Sequence, residues 1–213
     1  MLNIWGRISS INVRKVVWCA QELGLDFQRT EAGGRFGVVQ TPEYLALNPN
    51  AMVPTIDDGE GSERVTLWES NVIVRYLCAK HSHGKFYPSE LPARFDAERW
   101  MDWQQTTLNR ASRDAFVQWV RTLPAEREPA LIAASVHASE ALFAMLDAHL
   151  ARQPFMAGDR FTMADIPIGC EAHRWFGLPP AEYQRPSWPN LERWYGELIS
   201  RPGTRGVLDL PLE

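Results

Sequence analysis

Every strand-like run in this 213-residue chain falls before residue 70, and the remainder is patterned only as helix. Leu2-Asn3-Ile4-Trp5 alternates as a strand does, Leu25 to Thr30 reads as a second strand, and Val53-Pro54-Thr55-Ile56 and Val65-Thr66-Leu67-Trp68 as two more. Between the first two, Val13, Val16, Val17, Ala20 and Leu23 mark one face of a helix, with Ser10 or Asn12 to cap it and Gly24 to stop it. This β-α-β unit predicts parallel strands joined by a right-handed crossover. Glu31 to Gln40 reads as a polar, glycine-rich loop, and Pro42 to Leu47 as a short helical turn. Asp57 to Arg64 has turn chemistry, so the last two strands form a hairpin; Glu69 to Lys80 comes next as a helix with Val72, Ile73, Tyr76 and Leu77 on one face.

His81 to Leu91 contains Gly84, Pro88 and two serines and reads as a linker. Beyond it, Ala93 to Val120 is expected as one long helix with bulk from Phe95, Trp100, Trp103 and Leu108. Pro129 to Leu150 is a second, its core face drawn from Leu131, Ile132, Val136, Ala141, Leu142, Met145, Leu146 and Leu150. Thr162 and Asp165 are spaced as a capping box that opens a helix to about Phe176. Pro189 to Ile199 is another, ended at Arg201-Pro202. The expected architecture is a small α/β domain over residues 1–80, a linker over 81–91 and an all-helical domain over 92–213.

Several functions fit poorly. The net charge is −4, and residues 1–80 carry 8 basic and 9 acidic side chains, so no half is a nucleic-acid binder by charge. His81 and His83 are the nearest histidine pair and no cysteine joins them, so no metal is expected. Cys19, Cys78 and Cys170 are sparse and odd in number, which fits a reducing cytoplasm. Gly33-Gly34-Arg35-Phe36-Gly37 has neither dinucleotide nor Walker spacing, and there is no Gly-x-Ser-x-Gly elbow. No apolar run is read as long enough to span a membrane, and no signal peptide is recognised at the start.

Three segments carry chemistry. A proline opening a strand cannot join the ladder, and at Val53-Pro54 of a βαβ-ββα domain it is expected cis, turning the Val53 N–H and C=O toward the first helix. That helix starts at Ser9-Ser10-Ile11-Asn12, where unpaired N–H groups favour an anion. With no Cys-x-x-Cys there, any reactive thiol must arrive with the ligand. Glu69-Ser70 opens the third helix, offering N–H groups to a carboxylate and an acid to an ammonium. Together they describe a groove for an extended ligand with a thiol, a peptide backbone and an α-amino acid end.

Here the sequence resembles the cytosolic glutathione transferases, in particular bacterial serine- or asparagine-type members of theta- or nu-like character. The resemblance rests on Trp5-Gly6-Arg7, Ser10-x-Asn12-Val13-x-Lys15, Leu47-Asn48-Pro49-Asn50, Val53-Pro54, Leu67-Trp68-Glu69-Ser70-Asn71 and Phe161-Thr162-Met163-Ala164-Asp165. It implies a thioredoxin-like first domain, a helical second domain, a cytoplasmic homodimer, and glutathione as co-substrate with no further cofactor. Val53 and Pro54 would receive the cysteinyl backbone, Glu69 and Ser70 the γ-glutamyl end, and Gln40 and Met52 would line the same groove. Ser10 or Asn12 would activate the sulfur, with Ser10 preferred.

Lowering a thiol pKa of ~8.5 by ~2 units takes ~2.7 kcal/mol of thiolate stabilisation. One charge-assisted hydrogen bond (~1.5–3 kcal/mol) and a helix terminus (~0.3–1 kcal/mol) supply that. Arg110 and Arg113, three apart, join Arg7 as a cationic pocket for acidic electrophiles, with a solvated arginine face as the alternative; Trp175 and Phe176 are candidates for an apolar wall, with ordinary core packing the stronger alternative. The expected activity is conjugation or dehalogenation of small electrophiles. Glutathione-dependent disulfide reduction, and a non-catalytic glutathione-binding module, are the alternatives.

Overall fold

The computed structural model describes residues 1–213. Its four-stranded sheet has the order β2-β1-β3-β4, with β1 at Leu2–Trp5, β2 at Phe27–Thr30, β3 at Thr55–Asp58 and β4 at Val65–Trp68. β1 runs parallel to β2 and antiparallel to β3, and β3 and β4 form the antiparallel hairpin. Leu2 and Ile4 of β1 face the core beneath α1 (Ile11–Glu22) and α3 (Ser70–His81). Those two helices meet at Cys19 and Cys78, whose sulfurs are 3.5 Å apart. Trp5 points the other way, edge-on to Tyr44 of α2 (Pro42–Leu47). This is the expected thioredoxin-like arrangement.

Two strands begin later than the sequence suggests. Leu25 closes α1 instead of opening β2: its N–H reaches Ala20 O at 3.0 Å, while Gly24 turns the chain at φ +65°. Val53-Pro54 is cis and lies outside the ladder, so β3 starts at Thr55.

The second half is helical throughout. The expected long helix runs from Leu91 to Arg121, but in four pieces: α4 (Leu91–Trp103), a π turn (Gln104–Leu108), α5 (Asn109–Phe116) and a second π turn (Val117–Arg121). A π turn inserts one residue without interrupting the helix, and an apolar period read over 28 residues does not register it. Phe95 is exposed instead of packed.

α6 (Pro129–Leu150) matches its expected bounds and most of its expected face, with Ile132, Val136, Leu142, Leu146 and Leu150 in or against the core. Ser135, Ser139, Phe143, Leu146 and Leu150 point inward, while Leu131 and Met145 are exposed. The buried Ser135 is satisfied: its hydroxyl donates to Ala111 O at 2.5 Å and accepts from Ala115 N at 3.0 Å. α6 also has the length and hydropathy of a membrane span, which corrects the reading that no such run exists. Here it packs along α5 and ties to the last helix, where Asp147 accepts from the N–H groups of Asn190 and Leu191.

α7 (Asp165–Phe176) is the central helix, and α8 (Pro189–Ile199) packs behind it. α1 meets α7 at Gly169, where a β-carbon would lie 2.8 Å from the Trp18 ring; only glycine permits that approach. The two halves therefore share one core, and α1, which carries Ser10 and Asn12 at its start, is fixed against both.

Candidate active site

The loop before β3 is held from behind. Tyr44 Oη and Asn48 Nδ2 both donate to Met52 O, at 2.6 and 2.9 Å. Gly6 lets α1 approach it: a β-carbon there would lie 2.4 Å from Val13 and 3.2 Å from Val53. Val53 itself spends neither its N–H nor its C=O inside the chain, so both are left available at the groove. At the opposite wall Glu69 adopts φ +71°, a conformation rare for a residue with a β-carbon and typical of functional sites. Ser70, buried at the start of α3, donates to Asn12 Oδ1 at 3.2 Å. Asn12, Met52, Val53, Pro54, Trp68, Glu69, Ser70 and Gln105 line this groove of ≈ 210 Å³.

A second cavity of ≈ 200 Å³ lies beside it, between α1, α5 and α7. Asn12 and Met52 line both, so they mark the passage between groove and cavity. Ser10 lines only the cavity, and its hydroxyl does not cap α1, although Ser10 occupies the cap position. With Asn12 Oδ1 taken by Ser70, its Nδ2 is the donor at the passage. Asn12 thus borders both spaces and Ser10 the cavity alone.

Five arginines converge on the cavity: Arg7, Arg14, Arg113, Arg121 and Arg174. Arg7 and Arg113 are as expected. Arg110 is exposed and does not line it, because the cavity face of α5 is set by Asn109, Arg113 and Phe116, and Arg110 lies off that face. Trp175 does not line the cavity and follows the core-packing alternative: it is buried, stacked on Phe143 at 5.3 Å. Gln40 is exposed and touches neither space.

The arginines differ in what they have left to give. Arg14, buried in α1, is spent on the C-terminal segment, donating to Val207 O (2.6 Å), Leu210 O (3.2 Å) and Pro211 O (2.8 Å). Arg121 donates to the Glu213 carbonyl at 2.7 Å, and its pKa is lowered by burial and by the Arg7, Arg174 and Arg113 charges around it. Arg174 is buried; it pairs with Glu171 through Nη2 and leaves Nε without a partner. Arg7 has no side-chain partner; the loop at Gly33 and Gly34 packs on its guanidinium, so that glycine-rich stretch is a seat for Arg7. Arg113 touches only its neighbour Asp114, at 3.3 Å.

Arg14, Arg121, Arg174, Asn109 and the tail were not read from the sequence. The only local signal was the Glu171/Arg174 spacing of three on a largely apolar helix.

The tail anchor is sensitive to acid. His173 Nε2 sits 2.7 Å from Arg14 Nη1, which can only donate, and 3.1 Å from Leu210 O, while Nδ1 lies 3.0 Å from Tyr195 Oη; a ring beside that guanidinium is held neutral. Burial and the Arg14 charge lower its pKa to about 4. The unfolded ring takes up its proton near ~6.5 and the native one does not, so native stability falls as pH drops from ~6.5 toward 4. At pH 5 this costs about 2 kcal/mol. Asp165 opposes it, since its raised native pKa, about 6, adds stability over part of the same range. His173→Gln isolates the histidine's share, because the amide oxygen can still accept from Arg14. Between pH 7 and pH 5 the wild type is expected to lose about 2 kcal/mol more than this variant in urea unfolding; equal losses would contradict the assignment.

Two family models match the chain: "Glutathione S-transferase, N-terminal domain" over residues 9–80 and "Glutathione S-transferase, C-terminal domain" over residues 104–202. The chain is 41% identical over 212 residues to glutathione S-transferase GstB of Escherichia coli (strain K12), covering all of both proteins. It is also similar to elongation factor 1-gamma 1 of Oryza sativa subsp. japonica, 29% identical over 79% of this chain and 39% of that one. Among solved structures, the theta class glutathione S-transferase from Xanthomonas axonopodis pv. citri with glutathione bound superposes with a TM-score of 0.93, at 45% identity, covering 100% of this chain and 99% of that one.

Proposed function

Because this chain belongs to the glutathione S-transferase family, we propose that its groove binds glutathione extended between Val53 and Glu69/Ser70, with the sulfur at Asn12 and Ser10. The Asn12 amide and the start of α1 hold the sulfur as thiolate. The thiolate attacks an electrophilic carbon in the adjacent cavity: a C–S bond forms, the carbon–leaving-group bond breaks, and the leaving group departs with its electron pair. The thiol proton has already passed to solvent. The chain acts as a homodimer; exposed Val72 on α3 and Phe95 on α4 lie one turn from Arg75 and Glu98, whose ion pair joins the two helices, and form an apolar patch for a second copy.

The electrophile is a small acid. The observation that carries this is the arginine lining of the cavity, where Arg7 has no side-chain partner, Arg113 is held only by exposed Asp114 and the buried Arg174 keeps Nε unpaired, in a chain whose net charge is −4. The test uses two chromogenic aryl halides of like shape and different charge, 4-chloro-3-nitrobenzoate and 4-chloro-3-nitrobenzamide. The acid is expected to show the higher kcat/KM. Arg7→Gln with Arg113→Gln should lower the acid's kcat/KM by about 10–100-fold, and the amide's by less, since each charge-assisted hydrogen bond is worth ~1.5–3 kcal/mol. Equal losses for both substrates would sink the acidic assignment.

A further inference from the structure

Nearly every side chain of the groove comes from the α/β half; Gln105 comes from the helical half, in the π turn Gln104–Leu108. Its Oε1 accepts from Lys15 Nζ at 3.0 Å, and Gln104 Oε1 accepts from the same ammonium at 2.8 Å. Adjacent residues of a regular α-helix point about 100° apart; in the wider π turn both amides reach one cation. A lysine ammonium only donates, so each amide oxygen must face it. For Gln104 the consequence is visible: its NH₂ donates onward to Glu171 Oε2 at 2.9 Å. For Gln105 the NH₂ has no acceptor in the chain, and Gln105 lies on the groove wall beside Asn12, Glu69 and Ser70.

The charge around this point is unbalanced. Lys15 has no exposed surface, and its only hydrogen-bond partners are these two neutral amides. Glu171, also fully buried, is already held by Arg174 and by Ser112 Oγ at 2.5 Å. The hydrogen-bonded set therefore buries two cations and one carboxylate, and the Glu69 carboxylate on the groove also acts on Lys15. A buried cation without a carboxylate partner is costly to keep charged, and burial accordingly lowers the Lys15 pKa to about 8. The unpaired Gln105 NH₂ offers a donor to an anion on the groove side.

We propose that Gln105 is a glutathione-binding residue whose amide N–H receives the γ-glutamyl α-carboxylate, and that Lys15 is its positioning residue, fixing the amide's orientation and holding the excess positive charge behind it. The proposal rests on the groove being the glutathione site. The γ-glutamyl carboxylate is chosen over the sulfur because Gln105 lines the groove that Glu69 and Ser70 also line and does not line the adjacent cavity.

Gln105→Glu separates this role from a structural one. A carboxylate there gives Lys15 an ion pair, so a merely structural residue predicts unchanged or raised stability and unchanged affinity. The proposal predicts stability kept or raised together with a glutathione Kd increased tenfold or more by calorimetry at pH 7. Gln105→Leu should raise Kd three- to tenfold, and Lys15→Met should do the same; if Lys15→Met does not fold, the two Gln105 variants decide. The difference between wild type and Gln105→Glu should vanish for glutathione amidated at the γ-glutamyl α-carboxylate. Wild-type Kd retained in Gln105→Glu overturns the proposal and leaves the groove assignment standing, provided Ser70→Ala weakens binding in parallel. Equal loss with the amidated ligand also overturns it. A wild type that binds no glutathione overturns both.

Discussion

Asp165→Ala is expected to lower stability by about 4 kcal/mol, which for a chain of this length lowers Tm by about 10 °C. The carboxylate is fully buried and accepts from three N–H groups, Met156 N at 2.9 Å, Trp194 Nε1 at 2.9 Å and Thr162 N at 2.8 Å, and more weakly from the Thr162 hydroxyl at 3.4 Å. Those donors belong to the loop before α7, to α8, and to the first turn that α7 caps. Each loses its only acceptor when the carboxylate goes, at ~1–3 kcal/mol per buried orphan. Burial raises the pKa of Asp165 to about 6, so its charge carries a cost at neutral pH, and removing it returns part of the loss. The net stays strongly unfavourable because three donors remain inside. Thermal unfolding followed by circular dichroism checks this; a Tm within about 2 °C of wild type would show that water or local rearrangement replaces the carboxylate.

Asn12→Ala is expected to have the largest effect on turnover. One hydrogen bond to a thiolate, worth ~1.5–3 kcal/mol, corresponds to one to two pKa units and hence to a 10–100-fold change in the thiolate fraction below the pKa. kcat at pH 6.5 should fall by that factor and recover as pH rises. The variant also deprives Ser70 of its acceptor, so KM for glutathione should rise a few-fold. Ser10→Ala should cost less, because Ser10 meets only the cavity. If Ser10→Ala loses the activity and Asn12→Ala keeps it, the order of the two donors is reversed. Initial rates with a chromogenic aryl halide, across pH, read both.

The fold was legible because its periods are strong and local. Alternation in β1, the valine face of α1 and the bounds of α6 and α8 arise from residues within one or two turns of each other. The capping pair Thr162 and Asp165 was visible for the same reason, but not that Asp165 also holds Met156 and Trp194, which are distant in sequence. What the sequence hid was long-range or one residue in size. Two π turns leave an apolar pattern almost intact, yet one of them brings Gln104 and Gln105 onto Lys15.

The site divided along the same line. Asn12, Val53, Pro54, Glu69 and Ser70 sit at element starts, where sequence marks them, and they share one groove. The cavity arginines come from α1, α5, α7 and the loops between, and only packing shows which converge. Arg110 and Arg113 look equivalent by spacing; the rotation of α5 separates them. Trp175 and Arg174 are neighbours in sequence, and one is core while the other borders the cavity.

The central claim is that the start of α1 holds the glutathione sulfur as thiolate. An ultraviolet difference titration of the glutathione complex across pH tests it most directly. The account predicts a thiolate absorbance that persists to about pH 6.5, some two units below the free thiol, and that shifts upward by one unit or more in Asn12→Ala. A complex whose thiolate band appears only near pH 8.5, with glutathione shown to be bound in the same samples, would contradict it.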